Sequence, residues 1–180
     1  MPSRSKLPAG WRGAWWLALI LSFGVSHADT LEEDSIKAGF VLNFTKYTEW
    51  PATALGGGEL RVCGLGAQPL SGKLAQLQGR QVQGREIKVR VSVRQDEWRD
   101  CHALFVPAGE EARMDTLLRT LGQSAVLTIG DGNDFVEAGG MIVLKQRGGR
   151  IRFEINLAAA RRAGLNLNSQ MLKLADEVRQ

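Results

Sequence analysis

The order of apolar and polar positions divides the chain into segments of different period. Between Leu31 and Tyr47, the residues Ile36, Phe40, Val41, Phe44 and Tyr47 recur at spacings of three and four, which predicts an amphipathic helix. Asp29 or Thr30 stands where a cap is needed, and the acidic residues up to Asp34 suit the positive end of the helix. Trp50-Pro51 stops it, because a residue before proline avoids the helical region. Leu60 to Leu65 reads as a short strand running into Gly64-Leu65-Gly66, and Pro69 to Leu77 fits a helix with proline in its first turn. Gly79 to Gly84 is a turn-rich connection. Beyond it Ile87, Val89, Val91 and Val93 alternate with Lys88, Arg90 and Ser92, the period of a strand with one wet face.

Ala103 to Val106 and Ala125 to Ile129 are apolar runs of the kind buried on both sides of a sheet. A helix from Glu110 to Leu121 lies between them, with Met114, Leu117, Leu118 and Leu121 on one side. The pattern then changes. Met141 to Leu144 and Ile151 to Ile155 are strands joined through Arg147-Gly148-Gly149-Arg150, and Gly-Gly at a tight connection signals a hairpin. Leu157 to Ala163 is a short helix stopped at Gly164, and Ser169 caps a last helix through Met171, Leu172 and Leu174. Strand–helix–strand alternation predicts a mostly parallel sheet with helices on both faces, and the late hairpin adds an antiparallel edge. The expected fold is one three-layer α/β/α sandwich around a mixed, mostly parallel sheet of five or six strands, with a C-terminal antiparallel hairpin.

The N-terminus stands apart from this pattern. Arg4, Lys6 and Arg12 precede an uncharged, mostly apolar run from Ala14 to Val25, and Ser26-His27-Ala28 closes it with small residues where a signal peptidase reads. Twelve residues are too few for a spanning helix, which needs about 20. Residues 1–28 are therefore expected to be a cleaved secretory signal and residues 29–180 a single domain. The signal carries three of the 23 basic residues, so the formal charge falls from +4 for the whole chain to +1 for the mature part. Its basic residues are dispersed, without the basic stripe and interleaved aromatics of a nucleic-acid binder.

Export also changes what the cysteines mean. Cys63 and Cys101 are the two cysteines, and in an oxidising compartment an isolated pair has one connectivity; the other reading is two separate buried thiols. Candidate chemistry beyond them is thin. Gly64-Leu65-Gly66 lacks the third glycine of a dinucleotide loop and the Gly-Lys-Ser/Thr ending of a Walker loop. His102, the one histidine beyond the leader, has no nucleophile near it in sequence, and reads as a surface or strand-end residue. Gly130-Asp131-Gly132-Asn133-Asp134 lacks the ligand spacing of a calcium loop. Gly64, Gly66 and Asp131 do stand at strand ends, where open α/β sheets place small ligands. Arg152, Glu154 and Asn156 alternate with Ile151, Phe153 and Ile155, so they share one strand face. That face is either a wet surface with a cross-strand ion pair or a surface that recognises a partner. No metal, cofactor or catalytic set is expected. This favours a binding or regulatory protein over an enzyme, with a small-molecule-binding module serving a membrane sensor as the alternative.

Several segments together resemble one family. Lys37 to Phe44 followed by Thr48-Glu49-Trp50-Pro51, the strand Leu60 to Gly66, Cys101-His102-Ala103-Leu104-Phe105-Val106, Gly140-Met141-Ile142 and Arg152 to Leu165 resemble, in unchanged order, the YfiR-like family of bacterial periplasmic proteins. The resemblance implies a periplasmic repressor that binds the periplasmic part of an inner-membrane sensor protein. In the family's best-understood member that sensor is a diguanylate cyclase, kept inactive until a lipoprotein partner, here an outer-membrane lipoprotein, or envelope stress relieves it. Cyclic di-GMP then rises and favours biofilm formation. The resemblance implies a homodimer too. That member carries more than one disulfide, and with Cys63 and Cys101 alone this chain has no second bridge to regulate.

Overall fold

The computed structural model describes residues 27–66 and 69–180, so the expected leader lies outside the described residues apart from His27 and Ala28. Helix α1 (His27–Lys46) is followed by the two-residue strand β1 (Thr48–Glu49). Strand β2 (Glu59–Gly64), helix α2 (Pro69–Ala75), strand β3 (Gln81–Val82) and strand β4 (Arg85–Val91) come next. A 3-10 turn, Gln95–Asp100, leads into β5 (Ala103–Val106), and α3 (Met114–Leu121) leads to β6 (Leu127–Gly130). The hairpin β7 (Ile142–Arg147) and β8 (Arg150–Asn156) is followed by α4 (Leu157–Arg162), β9 (Asn166–Leu167), α5 (Ser169–Leu174) and β10 (Glu177–Arg179).

The main sheet runs β10-β8-β7-β6-β5-β2-β4-β3, and β1 pairs separately with β9. Strands β4, β2, β5, β6 and β7 are mutually parallel, β8 is antiparallel to β7, and β10 is parallel to β8. The six inner strands are those the sequence pattern predicts. Two short edge strands extend the sheet to eight. One is β3, inside the stretch read as a turn: Gln83 and Gly84 have φ of 51° and 74°, and this pair of left-handed residues reverses the chain so that Val82 opposes Arg85. The other is β10, three residues without enough alternation to signal a strand. At the hairpin, Gly148 and Gly149 take φ of 57° and 72°, the conformation a two-residue connection needs.

Each face of the sheet carries its own core. Leu60, Val62, Ile87, Phe105, Ile129, Ile142 and Phe153 pack on one side against Val41 and Phe44 of α1, Leu70 and Leu74 of α2, and Ala160 of α4. Cys63, Leu65, Leu104, Val106 and Val143 point the other way, onto Trp98, Leu117 and Leu121 of α3, and Phe135. This is the expected three-layer sandwich. Cys63 and Cys101 form a disulfide with Cα atoms 5.9 Å apart, joining β2 to the end of the 3-10 turn that carries Trp98. Both sulfurs are buried in the second core.

The segment after β6 owes its shape to glycine. Phe135 folds back onto the sheet between Gly130 and Gly140 and is buried. A Cβ on Gly130 would lie 2.5 Å from its ring, and one on Gly140 2.2 Å. The run Asp131 to Asp134 is thus the near limb of a loop that inserts an aromatic plug, and its acidic, glycine-rich composition serves that turn.

Candidate functional site at the strand ends and on the first helix

In chain order the five parallel strands are arranged 2-1-3-4-5, with the reversal between β2 and β5. Open sheets of this order bind ligands outside the carboxyl ends at the reversal, where Gly64 and Gly66 sit. Gly64 is closed over by α2: a Cβ there would meet Leu74 at 3.5 Å and Val91 at 3.9 Å. Gly66 has φ of 68° and makes the turn out of the strand. The nearby cavity, about 100 Å³, is lined by Val106, Pro107, Met114, Gly132, Asp134, Phe135 and Ala138, and excludes Gly64, Gly66 and Asp131. It falls short of the roughly 300 Å³ at which ligand pockets begin.

Asp131 lies two strands away from Gly64 and is committed within the chain. Its Oδ2 receives Lys37 Nζ at 2.6 Å, and its Oδ1 accepts the Ala108 N–H at 2.6 Å. Lys37 also meets Glu33 at 2.8 Å. Burial alone would lower the pKa of the Lys37 ammonium, but the hydrogen bonds it donates to the Asp131 and Glu33 carboxylates outweigh it and raise its pKa above the ordinary value. Asp34 is pushed up, mainly by burial, with Lys37 opposing and Glu33 and Asp131 adding. The cluster fastens α1 to the loops after β5 and β6. Gly64, Gly66 and Asp131 are therefore taken up by packing, turn geometry and an ion pair. Lys37 and Asp131 are 94 positions apart, and no local sequence signal joins them.

His102 is buried, at 2% exposure, against the reading as a surface residue. It stands just before β5. Its Nδ1 accepts the Arg61 N–H at 2.8 Å, and its Nε2 faces the Ala54 carbonyl at 3.0 Å. Those partners fix the neutral tautomer with the proton on Nε2. Burial lowers its pKa, the Ala54 carbonyl opposes, and Arg61 and Arg85 lower it further. Trp50 crosses its ring edge-on and donates to its carbonyl at 3.1 Å. The imidazole is a structural tie with no free nitrogen for catalysis.

The β8 face also differs from a uniformly wet one. Arg152 is half exposed and reaches Asp176 at 3.7 Å. Glu154 is buried at 3% exposure, held by Lys145 at 2.9 Å and Arg147 at 2.7 Å from the neighbouring strand. Asn156 caps α4, its Oδ1 accepting the Ala159 N–H at 2.9 Å. The cross-strand ion pair is present and engages Glu154, the cap engages Asn156, and Arg152 reaches the surface.

The exposed apolar surface lies elsewhere, where sequence reading placed core. Leu31, Ile36 and Tyr47 of the first helical segment are 55%, 44% and 38% exposed, and Leu174 of α5 is 69% exposed. A groove of about 180 Å³ between α1 and α5 is lined by Phe40, Asn43, Phe44, Tyr47, Phe153, Met171 and Leu174. Its floor is the aromatic stack of Phe40, Phe44 and Phe153, with ring centroids 5.0–5.8 Å apart.

The chain is thus a doubly wound α/β domain with filled strand ends and an open apolar groove beside its first helix. Residues 34–176 match the family described as YfiR/HmsC-like, and the chain belongs to that family. Its fold is also similar to a conserved domain protein from Vibrio cholerae O1 biovar El Tor strain N16961, with a TM-score of 0.55 at 10% identity over 81% of this chain. An ABC domain from Streptococcus pneumonia, solved in complex with L-Trp, matches with a TM-score of 0.52 at 11% identity, again over 81% of this chain. This chain spans 60% of the length of each.

Proposed function

We propose that this chain is exported by cleavage after Ala28 and acts in the periplasm. There it binds the periplasmic part of an inner-membrane signalling enzyme, a diguanylate cyclase, and holds it inactive. The observation that carries this reading is family membership over residues 34–176. The buried Cys63–Cys101 disulfide supports an oxidising compartment, and the open groove beside α1 supports a protein that works by contact. Repression of this kind is a population shift. The regulator must bind the inactive sensor more tightly than the active one, and moving the sensor from mostly active to mostly inactive takes about 10⁴-fold discrimination, or about 5.5 kcal/mol. Relief by a lipoprotein or by envelope stress then requires only competition for the bound face.

Removing the gene and measuring cyclic di-GMP and biofilm tests the reading. Both are expected to rise, and the tagged protein is expected to capture a transmembrane cyclase from solubilised inner membrane. Unchanged cyclic di-GMP under several envelope stresses, with no cyclase captured, would count decisively against it. The mass of the protein recovered from the periplasm tests the cleavage site separately.

A further inference from the structure

The segment between β1 and β2 is held to the body at few points. Residues 51–58 carry a single 3-10 turn, Ala52–Ala54, with no buried residue, and end in Gly56-Gly57-Gly58, where Gly57 takes φ of 96°. Trp50 anchors one end in the first core, and Ala54 and Leu55 lie half-buried against that core. Among the described residues, the segment bonds to the rest of the chain through three carbonyls. Ala54 accepts from His102, Gly57 from the Arg85 guanidinium and Gly58 from the Glu86 N–H. The last two lie at the glycine end, so the His102 bond fastens the middle. Few buried contacts and an exposed backbone mark a segment that opens locally.

His102 serves both sides of this contact. Its backbone N–H donates to the Arg61 carbonyl at 2.8 Å and its Nδ1 accepts the Arg61 N–H at 2.8 Å, so the ring adds a rung between β2 and β5. Its carbonyl accepts the Leu127 N–H and the Trp50 indole N–H. Neutral imidazole alone satisfies this set, because one ring nitrogen must accept while the other donates. A proton on Nδ1 would set two donors against each other at 2.8 Å in a site closed to water. The charges around the ring add to the conflict. Arg61 of β2 and Arg85 of β4 are both cationic, and Asp100 of the preceding turn meets Arg61 through its backbone carbonyl. Strands β5 and β6 and residues 50–58 hold no ionisable side chain.

A charged ring must therefore reach water. On its sheet side it is fixed by the β2 and β6 amides, and on the other side lies the glycine-hinged segment, which can move. We infer that residues 51–58 are a strap that neutral His102 holds shut and that swings open when His102 is protonated, while the sheet stays folded. The open strap bares the imidazolium beside Arg61 and Arg85, a cationic surface that exists only in acid. The closed ring binds its proton less readily than usual, through burial first and the two arginines after it, against the opposing Ala54 carbonyl. Protons thus enter the open form first, and opening grows by up to about tenfold per pH unit below the ordinary 6.5. The inference rests on the surroundings of His102 and is independent of the sensor reading.

Amide hydrogen exchange on the full chain, purified after expression with its own N-terminal segment, tests it across pH, with each rate corrected for its intrinsic pH dependence. Imidazole NMR follows His102 in the same samples. Protection of residues 52–58 is expected to fall by up to about tenfold per pH unit below 6.5 and to track the His102 titration. Far-ultraviolet circular dichroism and the protection of β5 and β6 are expected to stay unchanged over that range. His102→Gln, which keeps an uncharged donor for the Ala54 carbonyl, is expected to abolish the pH dependence of the strap. Where that variant is too unstable to purify, the coincidence of the two titrations in the parent chain decides. Strap protection that stays constant while His102 titrates, or an equal pH dependence in His102→Gln, overturns the inference. So does a strap that opens only together with the sheet, or a His102 that stays neutral until the domain unfolds.

Discussion

Filling the space around Phe135 gives the sharpest test of the packing. A methyl group on Gly140 would lie 2.2 Å from Phe135 Cε1 and 2.4 Å from Cδ1, and one on Gly130 would lie 2.5 Å from Cδ2. Real carbon contacts sit near 3.5–4.0 Å, so either the ring or both backbones must shift by more than 1 Å. The ring is buried on the second core beside Val136 and Val143 and borders the cavity of about 100 Å³, so a shift of the ring toward that space can relieve only part of the clash. Overpacking of this kind costs about 1–3 kcal/mol, and Gly140→Ala should fall in that range despite removing a flexible residue. Phe135→Leu removes the clashing ring atoms and should itself cost about 1–2 kcal/mol. The decisive measurement is the double variant in urea unfolding. If ring and methyl compete for one space, Phe135→Leu should recover at least ~1 kcal/mol of the Gly140→Ala cost, a coupling expected only of residues in contact. Additive losses, or a Gly140→Ala protein as stable as the parent, would show that Phe135 is not held between these glycines.

Three further outcomes follow from the geometry. Replacing Cys63 and Cys101 by alanine should lower unfolding stability by roughly 3–4 kcal/mol, because the bridge closes a 38-residue separation; chemical denaturation of the purified variant reads this. His102 has a folded pKa below its ordinary 6.5, so the unfolded chain takes up its proton first and stability is lost as pH falls below about 6.5. The slope is bounded by the one-proton limit of about 1.4 kcal/mol per pH unit, and His102→Gln should flatten the stability profile between pH 7 and 5.5. Glu154→Ala leaves Lys145 and Arg147 without their shared carboxylate and should cost about 1.5–3 kcal/mol, whereas Arg152→Ala, at the exposed end of the network, should change thermal stability little.

The layered fold was legible because it rests on period. The six inner strands and the helices between them each show the spacing of a buried face, and Gly148-Gly149 announces its turn. What escaped was set by contacts distant in sequence. Strands β3 and β10 exist because a neighbour offers hydrogen-bonding groups, with two or three residues too few to carry alternation. Asp131 looked free because its partner Lys37 lies 94 residues upstream. His102 looked superficial because nothing local says that Ala54 and the Arg61 amide close over it. Nothing local marks Gly130 or Gly140 as a close approach, and only the folded chain puts the Phe135 ring between them.

Helix α1 shows why periodicity both succeeds and misleads. Val41 and Phe44 are buried on the sheet, as the spacing requires. Ile36 and Tyr47 satisfy the same spacing, yet they lie on the outer flank of the apolar stripe, wider than the sheet can cover. A sequence pattern measures how much of a helix is apolar, whereas the fold decides how much of that stripe the rest of the chain reaches. The excess on α1 adjoins the groove to α5. The fold thus leaves exposed apolar surface on the first helix. It leaves the β8 face, the surface the alternating residues had suggested, with Glu154 and Asn156 fastening the sheet and α4 in place.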